Sequence, residues 1–404
     1  MAEHPPGNTA RAWLGVLALA VAAFGIVTTE FAPVGLMSAI AGAFDRPAAE
    51  IGLSVTVYAW IGAAAGLLSP ILLKALPRKQ LLVALVFALA ASNAVAAQSS
   101  GFAGFLAARM AGAVAHGCFW AVATAVAAEI VPRERLGLAT AIVFGGITVA
   151  IVLGVPLTNL VGEMSGWRFA FAAIAALGLV TGVTIAVLLP PVGPPAVAGW
   201  RSMAAVLREG AMRTIYGVTA LMAIGHFAAY TFIEPYLRAV PGTAEAMVSA
   251  SLAAFGAAGV LGNMLTGALA DRHMRPLIAG GFAVLVAALV GLGLAGPALG
   301  PLVTLALVAA WGGAVSVLFA GLQIWMLRTS GAAAMPAAAI HAAVVNLAIG
   351  LGASCGALLM QGRGPDRVML AAAGIALVPL AAVLIGRPRG LERAGTDEAK
   401  RAPA

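Results

Sequence analysis

The feature that most constrains this chain is a succession of apolar stretches, separated by short breaks of charge, proline and glycine. A membrane-spanning helix needs about 20 mostly apolar residues. Twelve stretches of that kind can be counted. The first six are Trp13–Ile40, Ile51–Leu73, Leu81–Ala97, Phe102–Ile130, Leu138–Val161 and Phe169–Leu189. The second six are Ile215–Leu237, Met247–Leu269, Leu277–Ala295, Leu299–Leu327, Ala334–Met360 and Val368–Ile385. In hydrocarbon every backbone group must be satisfied by the protein itself, and a helix does this within one segment. The runs therefore predict an all-α membrane protein with twelve transmembrane helices in two pseudo-symmetric six-helix halves. Charged residues make up 9% of the chain, against roughly 25% in soluble domains. A soluble globule is excluded.

The break between the two sets, Pro190 to Arg213, is proline-rich, then basic and weakly amphipathic. It reads as a cytoplasmic linker carrying a short interfacial helix. The expected organisation is a tail over 1–12, a first half over 13–189, a linker over 190–213, a second half over 214–386 and a charged tail over 387–404. With the N-terminus in the cytoplasm, 17 lysines and arginines fall on the cytoplasmic side and five on the other. That bias places both termini inside. The net charge of +8 is thus read as a topology determinant, with the lipid bilayer as partner and no nucleic acid. The first run is too long for a signal peptide and is interrupted by Glu30, so it is read as a retained span. The two cysteines, Cys118 and Cys355, lie in apolar runs and offer neither a disulfide framework nor a metal site.

An internal repeat supports the division. Basic turns follow spans 2 and 8, at Pro70–Lys79 and Gly267–Pro276, 197 residues apart. Spans 1 and 7 each carry a glutamate near a proline, Glu30 and Glu234, 204 residues apart. Paired six-helix halves characterise parallel-repeat transporters, whose binding site lies where the halves meet.

Charges at membrane depth are costly and are functional candidates by default. Three lie within spans: Glu30, Arg109 and Glu234. A carboxyl group there can exist charged or neutral and so can carry a proton. The structural alternative is a helix cap or an ion pair, which is weakened by the matched positions of the two glutamates. His226, Tyr230 and Glu234 are spaced four apart and would share one face of span 7. This stripe is read either as a proton- and hydroxyl-binding strip or as a polar seam between helices. Arg109, His116 and Trp120 fall near one face of span 4, with Trp120 a substrate wall or an interfacial anchor. Tyr58 and Trp60 share that ambiguity. Asn159, Asn263, Gln323, His341 and Asn346 are lesser polar candidates, each better explained singly as helix–helix contact than as a ligand. A GxGxxG match at Gly291–Gly296 lacks any strand context. A GxSxG match around Ser354 lies mid-helix rather than at a strand-to-helix elbow.

Several stretches resemble a known family. They are the NTAxxW entry to span 1, TTEFAPVGLM at Thr28–Met37, VYAW at Val57–Trp60, AHGCFW at Ala115–Trp120, LGVPL at Leu153–Leu157, GWRFAF at Gly166–Phe171 and HFAAYTFIEPYL at His226–Leu237. On these the chain resembles the major facilitator superfamily, and within it the drug/proton antiporters and their bacterial sugar-efflux branch. The resemblance implies alternating access coupled to inward proton movement. It also implies that Gly267, Asp271, Arg272 and Arg275 belong to a cytoplasmic gating motif after span 8. The first-half copy keeps Arg78 and Lys79, but has Lys74 where an aspartate is usual and Pro70 and Pro77 where glycines are usual. In span 5, Gly154 and Pro156 fit the antiporter motif, while Thr158 and Asn159 replace a glycine step.

The expected function is therefore a proton-coupled exporter of sugars or sugar-like molecules in a bacterial inner membrane. It would act as a monomer, driven by the proton gradient with no cofactor or metal. Glu30, His226 and Glu234 are the proton-coupling candidates. Arg109, His116, Trp120, Tyr230, Gln323 and Asn346 are the substrate-binding candidates. A polyspecific drug/proton antiporter is the first alternative. A membrane-embedded serine hydrolase built on Ser354 and His341 is the distant one. Those two residues stand 13 apart on one helix, or about 20 Å along its axis.

Overall fold

The computed structural model describes residues 9–73, 76–131, 135–192, 200–295, 298 and 300–385. Lys74, Arg133, the tail before residue 9 and the tail from residue 387 lie outside the described residues. The described chain is helical throughout, with no strand among those residues. The elements are α1 (Thr9–Gly35), α2 (Met37–Phe44), α3 (Ala48–Leu72), α4 (Arg78–Gln98), α5 (Phe102–Ile130), α6 (Leu136–Val149), α7 (Val155–Ser165) and α8 (Trp167–Leu188). They continue with α9 (Trp200–Arg208), α10 (Gly210–Tyr230), α11 (Ile233–Ala239), α12 (Glu245–Ala295), α13 (Gly300–Ser330), α14 (Ala334–Arg363) and α15 (Pro365–Ile385).

Ten of these helical stretches are long and apolar enough to cross a membrane, or eleven with α10 and α11 taken as one bent span. One of the ten, Glu245–Leu294, covers 50 residues. At about 1.5 Å per residue it would measure ~75 Å, more than twice the hydrocarbon thickness. It is interrupted at His273, whose φ of −134° and ψ of 37° are not helical, three residues before Pro276. Dividing it there yields twelve spans, and the division coincides with the basic turn read from the sequence.

Other spans depart from simple rods at prolines, which lack an N–H and clash with the preceding turn. Span 5 consists of α6 and α7 joined by a π-helical turn at Ala150–Gly154, just before Pro156. Span 1 does not run unbroken from Trp13 to Ile40: α1 ends at Gly35, after Pro33, and α2 begins at Met37. Span 7 breaks after Tyr230 with a bend of 43° before α11 resumes at Ile233.

The chain forms two compact units, Met1–Pro47 with Val57–Val197, and Ala48–Thr56 with Ala198–Ala404. In the first unit α1 packs on α6 and α8, and α4 lies against α5 and α8. The buried interior includes Val16, Leu19, Val86, Phe119, Val126 and Ile185. In the second unit α12 packs on α13, and α10 on α14 and α15. Each unit closes the end of its last helix with an arginine. Arg11 donates to the carbonyls of Val187 and Leu188 at the end of α8. Arg275 donates to those of Val383 and Leu384 at the end of α15. These carbonyls have no partner within their own helix.

Small residues set the helix spacing, as expected where lipid supplies no hydrophobic drive for helix association. A methyl group on Gly146 of α6 would stand 2.1 Å from the carbonyl oxygen of Ala20 on α1, whereas one on the adjacent Gly145 would meet nothing within 4 Å. Gly146→Ala must therefore part α1 from α6 at a cost of about 1–3 kcal/mol. Thermal unfolding of purified protein should show a lowered midpoint for Gly146→Ala and an unchanged one for Gly145→Ala.

Candidate functional site

The chemistry of the first unit begins with Pro33. A proline inside a helix removes the hydrogen-bond donor to the carbonyl four residues back, here Thr29. Arg109 of α5 supplies donors at that place. Its Nη1 donates to the Thr29 carbonyl, and its Nη2 to the Glu30 carbonyl at 2.9 Å. The guanidinium also lies 4.1 Å over the ring of Tyr58 from α3. Arg109 is 1% exposed. Its Nη1 and Nη2 are committed to the main chain of α1, while its buried Nε has no hydrogen-bond partner. Asn93 of α4 adds an Nδ2 hydrogen bond to the Thr29 hydroxyl at 3.0 Å. Asn159 of α7 donates to the Gly35 carbonyl at 2.8 Å, the helix-to-helix contact that such residues make.

Arg109 thereby fixes the turn that carries Glu30. The Glu30 side chain is buried, and its Oε1 has no hydrogen-bond partner. Its Oε2 lies 3.9 Å from His116 Nε2. His116 Nδ1 and the Tyr58 hydroxyl are 3.2 Å apart, and Trp120 Nε1 donates to His116 Nε2 at 3.1 Å. The structure thus brings Glu30, Arg109, His116 and Trp120 into one cluster and adds Tyr58. Tyr58 appears in the sequence only as one of two ambiguous aromatics.

The second unit is different. His226 and Tyr230 stack with centroids 5.1 Å apart, and Trp311 of α13 donates its Nε1–H to His226 Nδ1 at 3.2 Å. Phe227, Phe255 and Phe319 complete an aromatic surround. Glu234 does not extend the His226–Tyr230 stripe, because the chain bends between Tyr230 and Ile233. Glu234 is buried on α11 and forms an ion pair with Arg238, one turn further on. Trp311 and Phe255 were not anticipated. A buried tryptophan usually finds an acceptor for its N–H, but sequence spacing does not say which one.

The other candidates fall elsewhere. Gln323 is exposed on α13. Asn346 on α14 is half-buried and donates to Ala342, one turn back on its own helix. Arg78 is buried at the start of α4, and Lys79 beside it is partly exposed. Of the gating motif, Asp271 pairs with Arg328 of α13, which also donates to the Ala270 carbonyl. Arg275 caps α15, while Gly267 and Arg272 are exposed. Ser354 shares a hydrogen bond of 3.1 Å with Thr56 of α3, and His341 packs by Tyr216 with its Nδ1 unpartnered. No Ser–His pair of a hydrolase forms between them. Among the described residues no group of three metal-ligating side chains exists.

This set of spans defines a polytopic membrane protein. The sequence profile of the Major Facilitator Superfamily matches residues 17–338, and the chain belongs to that family. Its fold is similar to a bacterial homologue of the human lysosomal transporter Spinster in an inward-facing, unoccupied conformation. That likeness has a TM-score of 0.73 at 14% identity, over 94% of this chain and 97% of the other. The occupied inward-facing form of that homologue matches with a TM-score of 0.71 at 14% identity, over 92% and 95%. The human organic anion transporter MFSD10 (TETRAN) matches with a TM-score of 0.65 at 18% identity, over 94% and 100%. The protein is a multi-pass membrane transporter of small molecules, working by alternating access, and not an enzyme.

Arg109→Lys replaces a planar fork by a point charge and leaves one α1 carbonyl unanswered. It should destabilise the protein by about 2 kcal/mol. Pro33→Ala restores a helical donor to Thr29. In the Arg109→Lys background it should therefore recover part of the loss, giving a non-additive double-mutant cycle in thermal unfolding.

Proposed function

We propose that this chain is a proton-coupled exporter of sugars or sugar-like small molecules, with Glu30 as the coupling carboxyl. The observation that carries the reading is the state of Glu30: buried, held by Arg109's clamp on its own turn, and left with an unpartnered Oε1. A carboxyl so placed has no fixed counter-ion bonded to its oxygens, so gain or loss of a proton changes the local charge outright. Glu234 and His226, the other two candidates, are less suited. Glu234 is neutralised by Arg238, and His226 is enclosed by aromatic rings. In the first unit, Trp120 is the side chain we assign to the substrate, because it retains half-exposed surface. The excess of basic residues in alternate breaks supports both termini being cytoplasmic in a bacterial inner membrane. We take the protein to act as a monomer, without a cofactor, on the proton gradient alone.

In this scheme a proton arriving from outside neutralises Glu30 and favours release of substrate there. Loss of the proton to the cytoplasm restores the substrate-loading form. A ligand shifts such an equilibrium only by its differential affinity for the two states. A second reading, export of hydrophobic drugs, is favoured by the aromatic group around His226, which no described charge enters.

Inverted membrane vesicles with an imposed pH gradient test both readings. Wild-type vesicles should accumulate labelled pentoses or galactosides and not a panel of unrelated toxins. Glu30→Gln should reduce accumulation to the level of vesicles lacking the protein, while Glu234→Gln retains most of it. Accumulation by Glu30→Gln at the wild-type level sinks the coupling assignment. Uptake of toxins alone makes the protein a drug exporter.

A further inference from the structure

We propose that Trp120 is a positioning residue whose hold on His116 is released when a proton occupies Glu30. This rests on the reading of Glu30 as the coupling carboxyl, and extends it to the step by which the proton reaches an aromatic side chain.

The argument starts from one lone pair. An indole N–H can only donate. Trp120 Nε1 donates to His116 Nε2 at 3.1 Å, so that nitrogen carries no proton. The imidazole is neutral, its proton is on Nδ1, and Nδ1–H donates to the Tyr58 hydroxyl. Glu30 Oε2 stands 3.9 Å from the same Nε2. An ionised carboxylate facing a bare nitrogen sets acceptor against acceptor, and no hydrogen bond forms. A protonated carboxyl is a donor, and an approach of roughly 1 Å brings it to hydrogen-bond distance. The Nε2 lone pair then has two claimants, the indole and the carboxylic acid. Should the proton pass from Oε2 to Nε2, the result for Trp120 is the same: an N–H replaces the lone pair and the indole loses its acceptor. Either way one proton is added, residing as the O–H of Glu30 or, after transfer, as the N–H of His116 with the carboxylate restored, and the hydrogen bond of Trp120 to Nε2 is lost.

The surroundings permit this. The groups that face His116 are Glu30 from α1, Tyr58 from α3, and Arg109 and Trp120 from α5 itself. Helix α6 has no ionisable residue, and those of α4, Arg78 and Lys79, stand in its first turn. Glu30, Tyr58 and His116 are buried, while Trp120 is only half-buried. The indole is the member of the group that is not fully buried. As long as Glu30 is ionised, Trp120 is held as a fixed wall. When Glu30 is protonated the wall is released, so proton loading and retention of a substrate stacked on Trp120 oppose one another, as exchange requires.

The second unit contains a comparison. Trp311 caps His226 Nδ1 in the same way, at 3.2 Å. No carboxylate oxygen lies within ion-pair distance of His226 among the described residues, and Trp311 is fully buried. That cap should stay closed over the range in which the first one opens.

The test uses the full chain, biosynthetically labelled with fluorotryptophan and followed by fluorine NMR from mildly alkaline to acidic pH. Trp120→Phe and Trp311→Phe assign the two resonances. The Trp120 resonance should shift in one titration step, and the Trp311 resonance should stay still. In Glu30→Gln the amide is a permanent donor, so Trp120 should sit at its acid-form position at every pH. An unmoved Trp311 resonance shows that the variant is folded. A Trp120 resonance that does not respond to pH, or one unaffected by Glu30→Gln, overturns the proposal. Vesicle uptake by the same variant separates the two ideas. If Glu30→Gln loses gradient-driven uptake but Trp120 never moves, displacement is wrong and the coupling carboxyl stands. If uptake is normal and Trp120 is nevertheless shifted, displacement is real and the coupling assignment fails.

Discussion

The first unit depends on the hydrogen bonds from Arg109 to the Thr29 and Glu30 carbonyls. Pro33 leaves the Thr29 carbonyl without its helical donor, in a setting where water cannot replace it. An arginine brought from α5 answers that acceptor, and in doing so crosses beneath the turn bearing Glu30. The proline, the arginine and the glutamate are therefore one device. Taking away the arginine would loosen the helix break and leave the carboxylate without its nearby positive charge. The same demand explains the other arginine contacts, in which Arg11 and Arg275 close the ends of α8 and α15. In a chain so poor in charge, these three arginines are placed where the backbone runs out of partners.

From related sequence halves the two units build unlike interiors. The first combines Glu30, Arg109, Tyr58, His116 and Trp120, where polar atoms outnumber the bonds available to them. The second surrounds His226 with aromatic rings and places its acid, Glu234, on a separate short helix. Both retain an indole-to-imidazole hydrogen bond.

Much of this was legible in the sequence. The spans and the basic turn at His273 follow from hydropathy and charge, because bilayer thickness dictates helix length. The gathering of Arg109, His116 and Trp120 follows from helical spacing along an unbroken helix. The same rule misplaced Glu234, since the periodicity argument assumes that the helix continues past Tyr230, and it does not. Contacts between helices were out of reach. Nothing in the spacing of Pro33 and Arg109, or of His226 and Trp311, announces that one completes the other; those pairings depend on how helices cross. Ser354 shows the converse, a motif match whose hydroxyl is taken up by Thr56.

The matched glutamates best show how little separates one role from another. Glu30 lies on α1 before its break after Gly35, and Glu234, 204 residues on, lies on α11 after the break that follows Tyr230. Four residues beyond Glu234, one helical turn, stands Arg238, and the two pair. Four residues beyond Glu30 stands Val34, which is buried and apolar. A carboxylate with an arginine one turn away gains a fixed neutralising partner. One with a valine there must hold its charge by other means or take up a proton. The residue a turn away thus distinguishes Glu234, held in an ion pair, from Glu30, the carboxyl to which we assign proton uptake.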